Sequence, residues 1–109
     1  MRHAIYSLLS VLCVGLWSCG PQPLTEEEQG AAMLNEARQL LQDGKATQAR
    51  DTILSLRRRF PLAIEARRQA ILTLDSVELQ IALEQGDSLK TEFYRRKLLH
   101  DNETMNTNR

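Results

Sequence analysis

A chain of 109 residues is long enough for one small domain, and its 14 basic and 14 acidic side chains leave no net charge. That balance gives no reason to expect a polyanionic partner such as nucleic acid. Aromatic residues make up only 5% of the chain, and the residues that dominate it favour helices. Both cysteines lie within the first 19 residues, so the rest of the chain has no thiol for a disulfide or a thiolate metal site.

The first 18 residues are organised like a secretory signal peptide. A short basic start, Met1-Arg2-His3, precedes an uncharged, mostly apolar run over residues 4–17. A run of 14 residues is too short for a transmembrane helix, which needs about 20, but it suits the apolar core of a signal peptide. The alternative, a buried core helix, does not explain the order of basic start, apolar centre and small final residue.

The end of this run, Leu16-Trp17-Ser18-Cys19, resembles the lipobox of bacterial lipoproteins. The resemblance implies cleavage between Ser18 and Cys19 and a lipid on the cysteine, whose thiolate can carry a thioether-linked lipid. Trp17 departs from the small or β-branched residue that is usual at its position. One acyl chain binds a membrane only marginally, whereas the two or three chains of such lipoproteins make release negligible. We therefore expect residues 1–18 to be removed and residues 19–24 to form a lipidated tether.

The tether is short. The residue that follows the cysteine indicates to which membrane the protein is sorted. Pro21 and Pro23 keep the tether out of a helix, and residues 20–24 reach at most about 17 Å. Gly20 replaces the aspartate that is associated with inner-membrane retention in enterobacterial lipoproteins, so the outer membrane of a Gram-negative envelope is the expected location. Residues 26–28, all glutamate, fit either an acidic surface-export signal or the first turn of a helix, where the helix dipole favours acids.

Residues 25–100 are predicted to form an all-α domain. Thr25 and Glu28 match a capping box at the start of a first helix, which ends at Gly44. The second helix has apolar residues at spacings of three and four and closes at Pro61. These residues are Ala46, Ala49, Ile53, Leu56 and Phe60.

The third helix is predicted to start at about residue 61 and to be the longest. Gly86 separates it from a fourth helix that ends at about His100, and the polar residues 101–109 are predicted to be a disordered tail. The far end of the third helix extends beyond the first two helices, so either the fourth helix folds back over it or another molecule covers it. Its apolar residues there are Val77, Leu79, Ile81 and Leu83.

Residues 36–61 resemble a tetratricopeptide repeat, a helix–turn–helix unit of 34 residues. The matching positions are Ala37, Leu40, Gly44, Ala49, Ile53 and Pro61. The pattern is broken where Met33 replaces an aromatic residue, Glu36 an apolar residue and Leu56 a small one, and the rival interpretation is an ordinary helical hairpin with a glycine turn. The fold expected is such a hairpin plus one long and one shorter helix, a three- to four-helix bundle.

In tetratricopeptide repeats the first helix lines the binding face. The resemblance therefore implies a partner-binding surface on the first helix, formed by Ala31, Leu34, Arg38, Leu41 and Gln42. One helical pair cannot bury its own apolar face, and a disulfide-free body of this size is near the limit of stability for a lone core. Both arguments favour association with a partner or with a second copy.

The sequence carries no recognisable catalytic or metal-binding pattern. His100 is the one histidine after residue 19, and no cysteine follows that residue. Its expected role is therefore that of a cation near a helix C-terminus. The basic runs 57–59 and 95–97 are interpreted as solvated helix ends, with a phosphate or lipid-headgroup contact as the alternative. No glycine-rich phosphate loop or nucleophile elbow is present. We expect neither an enzyme nor a cofactor.

The function expected is that of a lipid-anchored envelope lipoprotein that acts as an interaction or assembly adaptor for a protein or peptide partner. The alternative is a structural lipoprotein without a distinct client. Its third and fourth helices, separate or continuous through Gly86, would then self-associate as a coiled-coil-like dimer. Neither hypothesis involves nucleic acid or a small-molecule substrate.

Overall fold

The computed structural model describes residues 23–107, and within them every regular element is an α-helix. The all-α prediction is therefore confirmed for this part of the chain. The predicted signal peptide, its cleavage site at Ser18 and the lipidated Cys19 lie outside the described residues. In chain order the helices are α1 (Glu26–Gln42), α2 (Ala46–Arg59), α3 (Ile64–Gln85) and α4 (Ser88–Thr107).

Side-chain caps fix the starts of α1 and α4. The Thr25 hydroxyl accepts a hydrogen bond from the Glu28 N–H at 3.1 Å and donates to the Glu28 carboxylate at 3.2 Å. The Asp87 carboxylate accepts from the Lys90 N–H at 3.0 Å. Each cap satisfies a backbone donor that has no partner inside the helix.

Glycine ends α1 and α3. Gly44 and Gly86 have φ angles of 78° and 68°, in the left-handed region that glycine adopts without steric cost. The N–H of the next residue, Lys45 in one turn and Asp87 in the other, bonds the carbonyl oxygen five residues earlier at 2.9 and 3.0 Å. This pattern is the Schellman motif, and the one at Gly86 makes α3 and α4 separate helices.

The start of α3 differs from the prediction. Residues 61 and 62 form a turn, and the helix begins at Ile64 rather than near residue 61. The Ala63 N–H bonds the Phe60 carbonyl at 3.1 Å, and the Ala63 side chain is fully buried. A Cβ on Gly30 of α1 would lie only 2.6 Å from the Ala63 Cβ. The turn is therefore held where α1 passes closest to it.

The end of α4 also differs from the prediction, because residues 101–107 are helical and not a disordered tail. The Asp101 carboxylate lies 2.6 Å from the Lys97 ammonium one turn earlier. The Arg68 guanidinium of α3 donates to the Met105 carbonyl at 3.4 Å. Contacts with α3 and within α4 thus extend the helix through Thr107, although the sequence there has no apolar periodicity.

The four described helices pack as two hairpins that share α3. α1 and α2 are antiparallel and both contact α3, whereas α4 runs back along α3 and contacts no other helix. α1 and α3 run in the same direction, since Glu27 bonds Ala66 near their starts and Arg38 bonds Thr73 further along. α3 is therefore the helix on which the other three assemble.

The core lies between α1, α2 and α3. Ile53, Leu56 and Val77 are its largest fully buried side chains, and burying each one contributes about 1.5–3 kcal/mol. Ala49 is also fully buried, which allows α2 to lie close to its neighbours. The remaining members of this cluster are Leu34, Ala37, Ala46, Ala70 and Ile81.

α4 covers the far end of α3, which is the first of the two arrangements that the sequence left open. Val77 and Ala82 are buried there, and Ile81 is only 8% exposed. Leu83, in the last turn, keeps 52% of its surface exposed. Val77 and Ile81 belong to the core with α1 and α2, so the first hairpin reaches further along α3 than predicted, and α4 covers the side of α3 that carries Asp75 and Arg68.

Candidate partner-binding groove

A groove runs between the parallel helices α1 and α3. It is a shallow cavity of about 270 Å³. Side chains of α1 and α3 form its two walls, and no residue of α2 lines it. Three lining residues come from each helix: Arg38, Leu41 and Gln42 from α1, and Leu72, Thr73 and Ser76 from α3.

Both polar and apolar side chains line the groove. The Arg38 Nε donates to the Thr73 hydroxyl at 3.3 Å, which joins the two walls. Leu41 and Leu72 are partly buried and supply apolar surface. An arginine beside leucines can bind a carboxylate or a backbone carbonyl while the ligand's apolar atoms cover the leucines. The arrangement can hold an extended or helical peptide segment, and it contains no nucleophile paired with a base.

Three of the five residues predicted for the binding face lie together in this groove. Arg38, Leu41 and Gln42 line it, whereas Ala31 is exposed but not among the lining residues. Leu34 is only 4% exposed and belongs to the core, so the prediction that it faces a partner is wrong. Leu34 is on the side of α1 that packs against α2 and α3, and the groove lies beside that stripe.

The α3 wall of the groove was not predicted. Leu72, Thr73 and Ser76 lie within the predicted third helix, and periodicity alone does not assign them to a binding surface. The buried positions of α3, among them Ala66, Ala70 and Val77, recur at spacings of three and four. That signal indicates which side of α3 is buried and which residues flank it. The two walls meet only because α1 and α3 pack side by side at a particular angle. The periodicity of either helix does not encode that angle.

The exposed side of α4 carries an open, partly apolar surface that residues of this helix alone form. Leu89, in the first turn of α4, is 85% exposed, and Phe93, one turn later, is 59% exposed. The other lining residues are Glu92, Arg96, Lys97 and His100. Since α4 continues to Thr107, His100 is not near a helix C-terminus, and its predicted role as a cation at a helix end is wrong.

The two basic runs have different surroundings. Residues 57–59 form the last turn of α2, as predicted. Residues 95–97 lie in the middle of α4, contrary to the prediction of a helix end. Arg95 and Arg96 both pair with Glu92, at 3.2 and 3.0 Å, and the third residue of the run, Lys97, turns towards α3.

Lys97 takes part in a charged cluster between α3 and α4. Its ammonium lies 2.9 Å from the Asp75 carboxylate of α3 and 2.6 Å from the Asp101 carboxylate of α4. The Asp75 side chain is only 4% exposed, and its Oδ2 atom is buried without a hydrogen-bond partner.

The charges of this cluster shift one another's titration. Burial raises the pKa of Asp75 from 3.8 to about 6, and the neighbouring Asp101 carboxyl group adds to the rise, whereas Lys97 opposes it. Hydrogen bonds with Asp75 and Lys97 hold the pKa of Asp101 below its ordinary value. Hydrogen bonds to Asp101 and Asp75 raise the pKa of Lys97. The cluster holds two carboxylates against one ammonium.

Residues 23–107 contain no group of three or more side chains placed to hold a metal ion, and none of the helices formed by these residues has the length and apolar character needed to span a bilayer. Comparison with models of protein families, with curated proteins and with solved structures finds no match to this chain.

Proposed function

We propose that this protein is a lipid-anchored envelope lipoprotein that binds a protein or peptide partner through the groove between α1 and α3. The observation that carries the proposal is that Arg38, Leu41 and Gln42 line one groove together with residues of α3. The parallel pairing of α1 and α3 supports it, because stacked tetratricopeptide repeats likewise build their binding face from the first helices of successive repeats.

The anchor rests on the lipobox-like residues at 16–19 and on the apolar run before them. Acylation at Cys19 after cleavage behind Ser18 would hold the domain at a membrane, with the outer membrane as the proposed location. Mass spectrometry of protein purified from membranes of a Gram-negative host tests this directly. A mature N-terminus at Cys19 carrying acyl chains is expected, and Cys19→Ala should release the protein from the membrane fraction. An intact Met1 with a free thiol at position 19 contradicts the anchor.

The groove is tested by affinity capture from detergent-solubilised membranes. Arg38→Ala removes the guanidinium that can pair with a partner's carboxylate or carbonyl, and losing a hydrogen bond to a charged group costs about 1.5–3 kcal/mol, which weakens binding by roughly tenfold or more. Lys45→Ala, an exposed charge in the turn after α1, is the matched control. Capture of one defined protein by the parent and by the Lys45→Ala variant, but not by Arg38→Ala, is expected. Equal capture by all three contradicts the groove as the binding site.

The exposed side of α4 favours a second candidate function, self-association. Leu89 and Phe93 form an uncovered apolar stripe, on which a second copy could pack to form a structural dimer without a client. Multi-angle light scattering over a range of concentrations separates the two functions. A stable dimer that is lost in a Phe93→Glu variant supports self-association, and a monomer at all concentrations contradicts it.

A further inference from the structure

One end of the domain gathers the start of α1, the end of α2 and the start of α3. Gly30 packs against the Ala63 and Ala66 side chains, and the Glu27 carboxylate accepts a hydrogen bond from the Ala66 N–H at 2.7 Å. The α2–α3 turn therefore lies beside the first turn of α1. Cys19 precedes Pro23 by four residues, which span at most about 14 Å. This end is thus the one nearest to the proposed anchor.

The same end carries an arginine-lined cavity of about 340 Å³, called here the arginine cleft. Its lining residues are Arg57 from α2 and Ile64, Arg67, Arg68 and Ile71 from α3. Guanidinium groups bind phosphate oxygens in two-pronged geometry, and the isoleucines offer apolar surface beside them. The cleft therefore matches a ligand that joins a phosphate to hydrocarbon.

Large aliphatic side chains project around this cleft. Leu62, in the turn, is 74% exposed, Ile64 is 65% exposed and Leu24, next to the tether, is 59% exposed. Arginines with exposed leucines and isoleucines are the composition of surfaces that lie at the boundary between headgroups and acyl chains. This composition, next to a tether that leads into the membrane, favours the bilayer over a second copy or a soluble peptide as the surface that contacts this end.

Acidic residues at this end do not cancel the arginines of the cleft. Glu27 is held by the Ala66 N–H, and Glu28 accepts the Thr25 hydroxyl. Glu65 lies 3.8 Å from an Arg68 nitrogen and offsets that one cation. Glu26, in the first turn of α1, and Glu103, near the end of α4, are the remaining acids. Arg57 and Arg67 have no carboxylate within salt-bridge distance among the described residues.

We infer that this end of the domain lies on the bilayer surface, with Leu62 and Ile64 at the acyl boundary and the arginine cleft holding phosphate headgroups of anionic lipids. The inference rests on the proposed lipid anchor. It sets the orientation of the molecule: α1 and α3 point away from the membrane, and the opposite end, with Gly86 and Leu89, lies about 30 Å further out.

Tryptophan fluorescence tests the orientation in the intact lipoprotein. The one tryptophan of the chain, Trp17, belongs to the segment that cleavage removes, so an indole introduced into the mature protein is unique. Leu62→Trp places it at the proposed contact, and Leu89→Trp places it at an equally exposed site at the far end. Each protein is expressed as the full chain, purified from membranes and reconstituted into anionic vesicles that contain lipids brominated on the acyl chains.

We expect strong quenching of the L62W emission and none of the L89W emission, because a residue at the acyl boundary lies about 5–10 Å into the headgroup region. Arg57→Ala with Arg58→Ala removes one arginine of the cleft and the arginine next to it in the last turn of α2. It should reduce the equilibrium constant for docking roughly 30-fold, from about fivefold for each arginine lost. Arg95→Ala with Arg96→Ala removes the same charge from α4 and should leave the quenching unchanged.

The outcomes separate this inference from the anchor itself. Mass spectrometry of the same samples establishes whether Cys19 is acylated. An acylated protein whose L62W emission is not quenched, or whose L89W emission is quenched instead, overturns the inference and leaves the anchor standing. An unmodified Cys19, together with emission from retained Trp17 in the parent protein, overturns both.

Discussion

The buried carboxylate between α3 and α4 makes the stability of the domain depend on pH, and Asp75→Asn should remove that dependence. The pKa of Asp75 in the folded protein is about 6, against 3.8 ordinarily. Because the folded value is the higher one, the stabilising contribution is fully present below pH 3.8 and is lost as the pH rises through about 6. The parent protein should therefore become more stable as the pH falls from 8 to 5.

The size of this gain follows from the two pKa values. The linkage relation gives roughly 1 kcal/mol between pH 8 and pH 5 for a shift of this size. The side chain is almost completely buried, so solvent screening does not reduce the gain much. Below pH 5 the lowered pKa of Asp101 acts in the opposite direction, because its stabilising contribution is present above the unfolded value and is lost as the pH falls through the folded value.

The assay is urea denaturation followed by circular dichroism at several pH values, using residues 19–109 with Cys19→Ala. At pH 8 Asp75→Asn should stabilise the domain, because it removes a penalised charge while Lys97 keeps its contact with Asp101. The difference in unfolding free energy between variant and parent should shrink as the pH falls to 5. Asp51→Asn, the same change at an exposed position of α2, is the control. A variant-to-parent difference that stays constant from pH 8 to pH 5 would refute the reasoning.

Three substitutions test the packing by the same denaturation assay. Gly30→Ala should destabilise the domain by about 1–3 kcal/mol despite the better helix propensity of alanine, because the new Cβ would overlap the Ala63 Cβ; adding Ala63→Gly should recover part of the loss, and a stabilised single variant would contradict the close approach. Gly86→Ala should cost about 1 kcal/mol because of the positive φ, whereas an unchanged midpoint would mean that the turn does not need glycine. Ile53→Ala should cost about 2–5 kcal/mol, because the side chain is fully buried; a loss below that range would place Ile53 outside the core.

Local signals in the sequence predict the first hairpin well. The capping residue Thr25, the stop at Gly44 and the apolar stripe of α2 depend only on neighbours within a few turns, and the structure confirms each of them. Ala49 and Ile53, predicted to face inward, are fully buried. These features are accessible because helix spacing and caps are properties of short segments.

The second hairpin was harder to predict, because its stability comes from contacts between distant residues. Lys97 and Asp75 are 22 residues apart, and neither the ion pair nor the burial of Asp75 follows from periodicity. The helical continuation to Thr107 depends on the same side-by-side packing. For the candidate groove, the α1 wall was predicted and the α3 wall was not, since the angle between two helices is set by packing across the whole core.

Because α4 contacts α3 alone, the domain divides into two cooperative units of unequal stability. The backbone amides of α4 can open to hydrogen exchange without disturbing the contacts among α1, α2 and α3, so they should lose protection first. Detachment of α4 would uncover Asp75 on the side of α3 that faces Lys97, while Val77, Ile81 and the groove between α1 and α3 stayed packed. The molecule can thus expose its buried carboxylate to solvent without giving up its first hairpin.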